Sequence, residues 1–362
     1  MSKRPLLALA LLLATTTAAA QHRPDKIPVD AATRKAVIAE LSTTLKANYV
    51  FPDVAAQVAS ALAAKDASGG YAQAADSEAF ADALSTDLRT LGRDGHFRVG
   101  YDPEFRPSPP NAVPDAEMLE RMREETLSRG FGVERIERLP GNVGYFELRG
   151  FGPTAMVAPA ISAAMTVLSG TDALILDLRR NGGGEPETVA WLLSHFFAQG
   201  DDRHLNDLYF RTGDTTRQYW TTSAAGPRYT RPVYVLTSAR TFSGGEECAY
   251  DFQTQKRAKI VGETTGGGAN PGDGYAIGRG FAAFIPNGRA INPITKTNWE
   301  HVGVKPDIAV PAADAQKVAH AAILRELLAA SKDADEQEYL QDMLTKVEAG
   351  KLDPPVYTPP RR

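Results

Sequence analysis

The sequence predicts an α/β fold with helical segments at both ends. Two observations support this fold class. Residues 31–92 show helical periodicity throughout, and from residue 130 short apolar runs alternate with amphipathic stretches of helical length. We predict five segments: a signal peptide over 1–20, a three-helix bundle over 28–92, an α/β core over 93–315, closing helices over 316–350 and a loose tail over 351–362.

The first 20 residues have the features of a secretory signal peptide. Lys3 and Arg4 precede the apolar run "PLLALALLLA". Small residues at Ala18 and Ala20 then suit cleavage before Gln21. Because the apolar run is shorter than the roughly 20 residues that a spanning helix needs, we expect cleavage and no stable membrane anchor. The expected location is secreted or periplasmic.

The composition argues against several classes of partner. A net charge of -4 without a long basic run makes nucleic acid an unexpected partner. Cys248 is the single cysteine, so an internal disulfide is impossible, and we expect a small buried hydrophobe there. No pattern of His, Cys and Asp has the spacing of metal ligands, so neither a metal nor a cofactor is expected.

The predicted bundle rests on apolar residues spaced about one helical turn apart. Val37, Leu41 and Leu45 recur every four residues, which indicates one buried helical face. Asp76 or Ser77 can cap the third helix, because a short polar side chain accepts hydrogen bonds from the free N–H groups of a first turn.

The core is predicted from apolar strands that alternate with helices. "DALILDLRR" and "VYVLTS" are nearly continuous apolar runs, as expected of strands buried on both faces. The remaining predicted strands are "HFRVGY", "NVGYFELRG" and "AKIVGE", and the predicted helices cover 115–129, 153–169, 187–197, 245–254, 312–330 and 336–349.

Ser243 lies between the strand "PVYVLTS" and a helix that begins near Gly245. Free N–H groups at a helix N-terminus favour negative charge, and Gly244 leaves room for a substrate and offers its own N–H. Ser243 is therefore a candidate nucleophile. The alternative is an ordinary helix cap, because Glu246 follows three residues later and completes a capping box.

A glycine loop follows the buried strand in "LILDLRRNGGG". Gly182, Gly183 and Gly184 permit a backbone that directs N–H groups into a cleft, which an oxyanion hole requires. The alternative is a plain tight turn. Among the six histidines, His96 in "GRDGHFRV" is at a loop-to-strand junction, where catalytic groups often occur.

Taken in order, "DGHFRV", "LILDLRRNGGG", "LTSARTFSGGEE", "KIVGETTGGGA" and "GVKPDI" resemble the C-terminal processing (tail-specific) peptidases. The resemblance is to the branch that includes interphotoreceptor retinoid-binding protein, and it covers about residues 30 to 330. It implies a ClpP/crotonase-like core of ββα units. It also implies that Ser243 is the nucleophile and that Gly244 and Gly183 are the oxyanion donors.

The sequence departs from the family pattern in two ways. The lysine that activates the serine in many members falls near Gly268, and the nearest upstream lysine, Lys259, lies in an apolar strand. A Ser–Lys dyad is therefore not expected. A PDZ domain is also missing, since only about forty residues separate "HFRVGY" from "NVGYFELRG", which puts strict recognition of a substrate C-terminus in doubt.

The tricorn protease is similar in the same core and uses a serine, a histidine and a glutamate. These match Ser243, His96 and Glu300, which implies a Ser-His-Glu peptidase acting on unstructured polypeptides. Glu300 would orient or polarise the charge network, and the alternative is an ordinary surface acid. A second hypothesis is a non-catalytic protein that binds apolar, retinoid-like ligands, with Phe242, Trp299 and Phe281 as candidate lining residues.

Overall fold

The computed structural model describes residues 26–107 and 114–352. The predicted signal peptide and most of the predicted tail lie outside these residues. The helices are α1 (Ala31–Asn48), α2 (Pro52–Ala67), α3 (Ser77–Gly92), α4 (Ala116–Ser128), α5 (Thr154–Leu168), α6 (Pro186–Ser194), α7 (Gly244–Thr254), α8 (Ala315–Ala330) and α9 (Ala334–Ala349). Within the described part of the chain, none of them has both the length and the apolar character needed to cross a membrane.

The strands form three sheets. They are β1 (Arg98–Tyr101), β2 (Val133–Leu139), β3 (Val143–Leu148), β4 (Ala173–Asp177), β5 (His204–Phe210), β6 (Thr215–Trp220), β7 (Val233–Thr237), β8 (Lys259–Gly262), β9 (Gly272–Ala276), β10 (Phe281–Pro286), β11 (Gly288–Ile291) and β12 (Ile308–Ala309). The central sheet has the order β12-β8-β7-β4-β3-β2, and the small sheets have the orders β1-β10-β9 and β11-β5-β6.

The central sheet is parallel except for β2, which pairs antiparallel with β3 at one edge. Its side chains alternate between two cores. Phe146 packs with residues of α5, α6 and α7, whereas its neighbour Tyr145 packs with residues of α8. Helices therefore cover both faces of the sheet, as the apolar strands of the sequence predicted.

The three N-terminal helices are confirmed, but they share a core with strands from much later in the chain. Val37, Leu41 and Leu45 are buried in one cluster with Phe281 and Ile285 of β10. Asp76 caps α3 by accepting a hydrogen bond from the N–H of Ala79 at 2.8 Å. The three-helix segment thus packs on the small sheet β1-β10-β9 and shares a hydrophobic core with it.

The parallel order of the central sheet determines where the candidate site forms. β4 and β7 are adjacent and parallel, so the loops after Asp177 and Thr237 leave the same edge of the sheet. The first loop contains the three glycines and the second contains Ser243. The glycine loop and the serine, although about sixty residues apart in sequence, therefore meet in space.

Candidate active site

Ser243 occupies a strained turn between β7 and α7. Its backbone has φ 53° and ψ -124°, a combination that residues other than glycine rarely adopt. Such strain is concentrated at functional sites, because the surrounding structure must maintain it. Ser243 is also the N-cap of α7, and its N–H donates to the carboxylate of Glu246 at 2.9 Å. One turn thus caps the helix and presents the serine.

Glu246 connects this turn to a second loop. Besides the Ser243 N–H, its carboxylate accepts hydrogen bonds from Thr265 Oγ1 at 2.5 Å, from Gly267 N at 2.6 Å and from Gly268 N at 2.8 Å. Burial raises the pKa of Glu246, and these hydrogen bonds oppose that rise. The sequence identified only the cap, because the partners at 265–268 are distant in the chain.

The glycine loop packs its backbone directly against Ser243 and Gly244. A Cβ on Gly183, whose φ is +98°, would lie 2.7 Å from the backbone nitrogen of Gly244, so only glycine fits there. The N–H of Gly183 donates to Asn181 Oδ1 at 2.8 Å and is thereby engaged. Gly184 lines the pocket beside Ser243. Among the described residues, the N–H groups of Gly184 and Gly244 have no acceptor.

His96 lines the same pocket as Ser243. Its ring lies against Phe242, with centroids 4.6 Å apart, and its Nδ1 is 3.5 Å from Asp94 Oδ1. Both ring nitrogens are buried and have no hydrogen-bond partner among the described residues. The structure therefore brings His96 and Ser243 to one pocket without a hydrogen bond between them. Catalytic hydrogen bonds often form only when substrate is bound.

Asp94 is a site residue that the sequence reasoning missed. It is fully buried, and its Oδ1 accepts a hydrogen bond from the backbone N–H of His96 at 3.0 Å. Its Oδ2 accepts from Asn270 Nδ2 at 2.9 Å and from the Tyr49 hydroxyl at 3.4 Å. The available signal was the Asp-Gly-His spacing, since an aspartate two residues before a histidine can hold the turn and face the ring.

Glu300 is buried beside these groups and is not a surface residue. Its side chain is 8% exposed, and its Oε2 accepts a hydrogen bond from the N–H of Ala269 at 2.5 Å, while Oε1 has no hydrogen-bond partner among the described residues. Donor atoms of Asp94, His96 and Glu300 lie within 4.8 Å of one another. Imidazole and carboxyl groups so close influence each other's charge, and they are also the donor types that divalent metals use.

Burial, reinforced by Asp94 and Glu246, raises the pKa of Glu300 to about 8. Since the unfolded carboxyl loses its proton near pH 4.5, the folded state holds an extra proton between about pH 4.5 and 8, and stability falls as pH rises through that window. We expect Glu300→Gln to remove this dependence. The Tm of the variant minus the Tm of wild type should therefore increase from pH 5 to pH 9. Calorimetry should show no such trend for Glu104→Gln, which alters an exposed residue. A Tm difference independent of pH would contradict the assignment.

The position that carries a lysine in many tail-specific peptidases is filled here by other side chains. A Cβ on Gly268 would lie 2.3 Å from Phe242 Cζ and 2.8 Å from His96 Cε1. The imidazole and the phenyl ring thus occupy the space of a residue-268 side chain. Lys259 instead pairs with Glu326 at 2.6 Å, on the opposite side of the sheet from the α7 helix. A lysine base is absent from the described pocket.

Gly268→Ala tests whether this packing holds the histidine in place. The added methyl group must displace Phe242 and the His96 ring, and an error of about 1 Å in a catalytic group costs on the order of 100-fold in rate. We expect the kcat/KM of any hydrolysis at this pocket to fall at least about 10-fold. Gly170→Ala is the control, because nothing lies within 4 Å of its Cβ position. Equal rates in the two variants would show that His96 tolerates displacement.

A serine on a strained strand-to-helix turn, next to free N–H groups and a histidine, is the arrangement found in serine hydrolases of the α/β type. The chain belongs to peptidase family S41. The model for peptidase family S41 matches residues 142–310, and the model for the N-terminal domain of peptidase S41 in eukaryotic IRBP matches residues 26–134. The family predicted from the five sequence motifs is confirmed.

A curated relative is carboxyl-terminal-processing peptidase 1, chloroplastic, of Arabidopsis thaliana, 26% identical over 188 residues. The match covers 52% of this chain and 37% of the relative, so the chain spans well under half of that protein's length. A Parabacteroides merdae protein described as a peptidase has a TM-score of 0.54 at 17% identity over 77% of this chain and 90% of its own. The tricorn protease has a TM-score of 0.50 at 12% identity over 87% of this chain and 37% of its own. These structural matches confirm the predicted fold class.

Proposed function

We propose that the protein is a serine-type endopeptidase that hydrolyses unstructured polypeptides with Ser243, His96 and Glu300. One observation carries the proposal: Ser243, His96, Gly184 and Gly244 line a single pocket. A nucleophile, a base and two N–H donors are the groups that acyl transfer requires at one place. The proposal also includes secretion, which rests on the predicted signal peptide alone.

In the proposed reaction, Ser243 Oγ attacks the carbonyl carbon of the scissile bond while His96 takes the hydroxyl proton. The carbonyl oxygen becomes an oxyanion and accepts hydrogen bonds from the two backbone donors. His96 then gives its proton to the leaving amine, and the C–N bond breaks to leave an acyl-enzyme. A water molecule, deprotonated by the same histidine, releases the acid product and restores Ser243.

The donors we assign to the oxyanion are the N–H groups of Gly244 and Gly184. The sequence resemblance suggested Gly183, but its N–H is engaged with Asn181 Oδ1 at 2.8 Å. Gly183 would act by close packing, which brings the loop against the nucleophile turn. Gly184 is next in the chain, lines the pocket and has no acceptor among the described residues, which supports it as the second donor.

Two carboxyl groups support the histidine in this proposal. Asp94 Oδ1 faces Nδ1 of His96 and holds the backbone of the same residue, so Asp94 orients the ring. Glu300 contributes a buried Oε1 that has no hydrogen-bond partner in the described chain. When His96 becomes positively charged, Asp94 is close enough to stabilise the imidazolium, and the new positive charge favours loss of the proton that Glu300 holds near neutral pH. The site is thus a Ser-His pair with two acidic residues.

The three aromatic residues that the sequence suggested as the lining of an apolar ligand site are all packed against other parts of the protein. Phe281 is buried among the N-terminal helices, and Trp299 is 2% exposed and donates its indole N–H to the carbonyl oxygen of Gly268 at 2.7 Å. Phe242 packs on His96. Their contacts favour structural support of the peptidase site over a separate ligand pocket.

Covalent labelling tests the proposal directly. An activated serine reacts with a fluorophosphonate, whereas an ordinary helix-capping serine does not. We expect stoichiometric labelling of the protein, with the adduct located at Ser243 by peptide mass spectrometry, together with hydrolysis of casein. The labelled protein should lose its hydrolytic activity. Casein hydrolysis that survives complete labelling, or absence of both labelling and hydrolysis, would contradict the proposal.

A further inference from the structure

The pocket beside Ser243 has an acidic inner wall. Glu247 lies one helical turn beyond Ser243 on α7, so its side chain projects to the same side of the helix, and it lines the pocket. Much of the remaining lining is apolar and comprises Pro186, Leu208, Pro271, Phe284, Ala290 and Trp299. None of the described lining residues is a lysine or an arginine. The pocket therefore combines apolar walls with one carboxyl group.

Most of the ionisable side chains close to Glu247 are carboxylic acids. Burial and the nearby carboxyl of Glu187 raise the pKa of Glu247 to about 8. Asp251, one turn further along α7, is also buried, and its pKa is raised by burial and by Glu247. Arg217 is a nearby cation, and its charge opposes the rise that burial causes in the pKa of Glu187. Glu247 therefore holds a proton near neutral pH while the pocket is empty, and a cation placed beside it would favour the ionised carboxylate.

Asn206 is a second buried polar group close to Glu247. It is fully buried on β5, and neither its Nδ2 nor its Oδ1 has a hydrogen-bond partner in the described chain. Its amide lies close enough to Glu247 to oppose the rise in that group's pKa, without a hydrogen bond of ordinary geometry. Most buried amides in native proteins have a hydrogen-bond partner, because leaving one unpaired is destabilising.

We propose that this pocket receives the side chain of the residue whose carbonyl is attacked, and that it selects lysine or arginine. The inference rests on the proposed peptidase function. The apolar walls would contact the methylene groups of a long basic side chain, and its charged end would reach the carboxyl group of Glu247. An acidic side chain, or a substrate's terminal carboxylate, would meet a buried carboxyl group in a pocket whose described lining has no lysine or arginine. The sequence motifs assign no role to Glu247 or Asn206.

Matched peptides test this inference. They would be fluorogenic and identical except for lysine, arginine, norleucine or glutamate at the residue before the cleaved bond. Norleucine matches lysine in its methylene groups and lacks the charge. We expect kcat/KM for lysine and arginine to exceed that for norleucine at least about 10-fold, with glutamate the poorest. In Glu247→Gln the ratio of kcat/KM for the lysine peptide to kcat/KM for the norleucine peptide should fall below about 3. Glu247→Asp should retain part of the wild-type preference for lysine.

The control is Glu117→Gln, an exposed substitution on α4, which should leave that ratio as in wild type. A preference for norleucine in the wild type, or an unchanged ratio in Glu247→Gln, would overturn the inference while the peptidase function stands. Failure to cleave any peptide, combined with failure of fluorophosphonate labelling, would overturn the proposed function and this inference together. Because the readout is a ratio within one protein, a partial loss of folded enzyme does not affect it.

Discussion

Replacing Ser243 with alanine is expected to lower kcat for peptide hydrolysis by about a million-fold, close to the limit of detection. The hydroxyl is the atom that forms the acyl-enzyme, and no other serine, threonine or cysteine lines the described pocket. Only the slow reaction supported by the backbone donors should remain. Circular dichroism should show that Ser243→Ala remains folded.

His96→Ala should cost nearly as much, and the double variant Ser243→Ala/His96→Ala should be no slower than either single variant. Groups that act as one unit are strongly non-additive, because removing either one stops the shared step. Lys259→Ala is the matched control, since Lys259 is paired with Glu326 and should leave kcat within about twofold. Additive losses, or a large effect of Lys259→Ala, would refute the histidine as the base.

Glu246→Ala is expected to destabilise the protein by about 3 kcal/mol or more, the usual cost of deleting a buried, hydrogen-bonded carboxylate. The substitution leaves three backbone N–H groups and the Thr265 hydroxyl without their acceptor. It also removes the three hydrogen bonds by which the 265–268 loop is joined to Glu246 in the serine turn, so activity should fall along with stability. Urea unfolding followed by tryptophan fluorescence measures the first effect.

The neighbouring residue provides the comparison. Glu247 is as deeply buried in the same helix turn but holds no backbone donors. Glu246→Gln puts an amide among four donors and should destabilise, whereas Glu247→Gln replaces a carboxyl group that accepts no backbone hydrogen bond and should not. If Glu246→Gln and Glu247→Gln both have the same urea midpoint of unfolding as wild type, Glu246 does not hold the two loops together.

The helices and the strands β1, β3, β4, β7 and β8 were predictable from local sequence. Buried strands such as β4 and β7 are continuous apolar runs, and the helices carry clear periodicity. The strands β2, β5, β6, β9, β10, β11 and β12 were not predicted, and some of them lack such a signal. β2, "VERIERL", is an edge strand whose residues are mostly exposed, and β9, "GDGYA", contains two glycines in five residues. Their strand conformation comes from pairing with distant partners, which no local window contains.

The candidate site was predictable only in part, for a similar reason. Ser243 and His96 belong to ordered motifs that local reading identifies. Asp94 is a single acid in a loop, and its role depends on Tyr49 and Asn270, which approach from elsewhere in the chain. The choice between Gly183 and Gly184 depends on which way each N–H points, and that follows from backbone angles rather than residue type.

His96 and Ser243 are anchored in different hydrophobic cores. His96 precedes Phe97 and Val99, which are anchored in the core of the N-terminal helices, whereas Ser243 lies between Val235 and Cys248 in the core of the central sheet. The contact between the rings of His96 and Phe242 crosses the boundary between these two cores. A molecule that binds between these two cores and separates His96 from Ser243 would inactivate the site. Both cores would stay intact, and the molecule would not need to touch the serine. An inhibitor of this kind need not resemble a peptide.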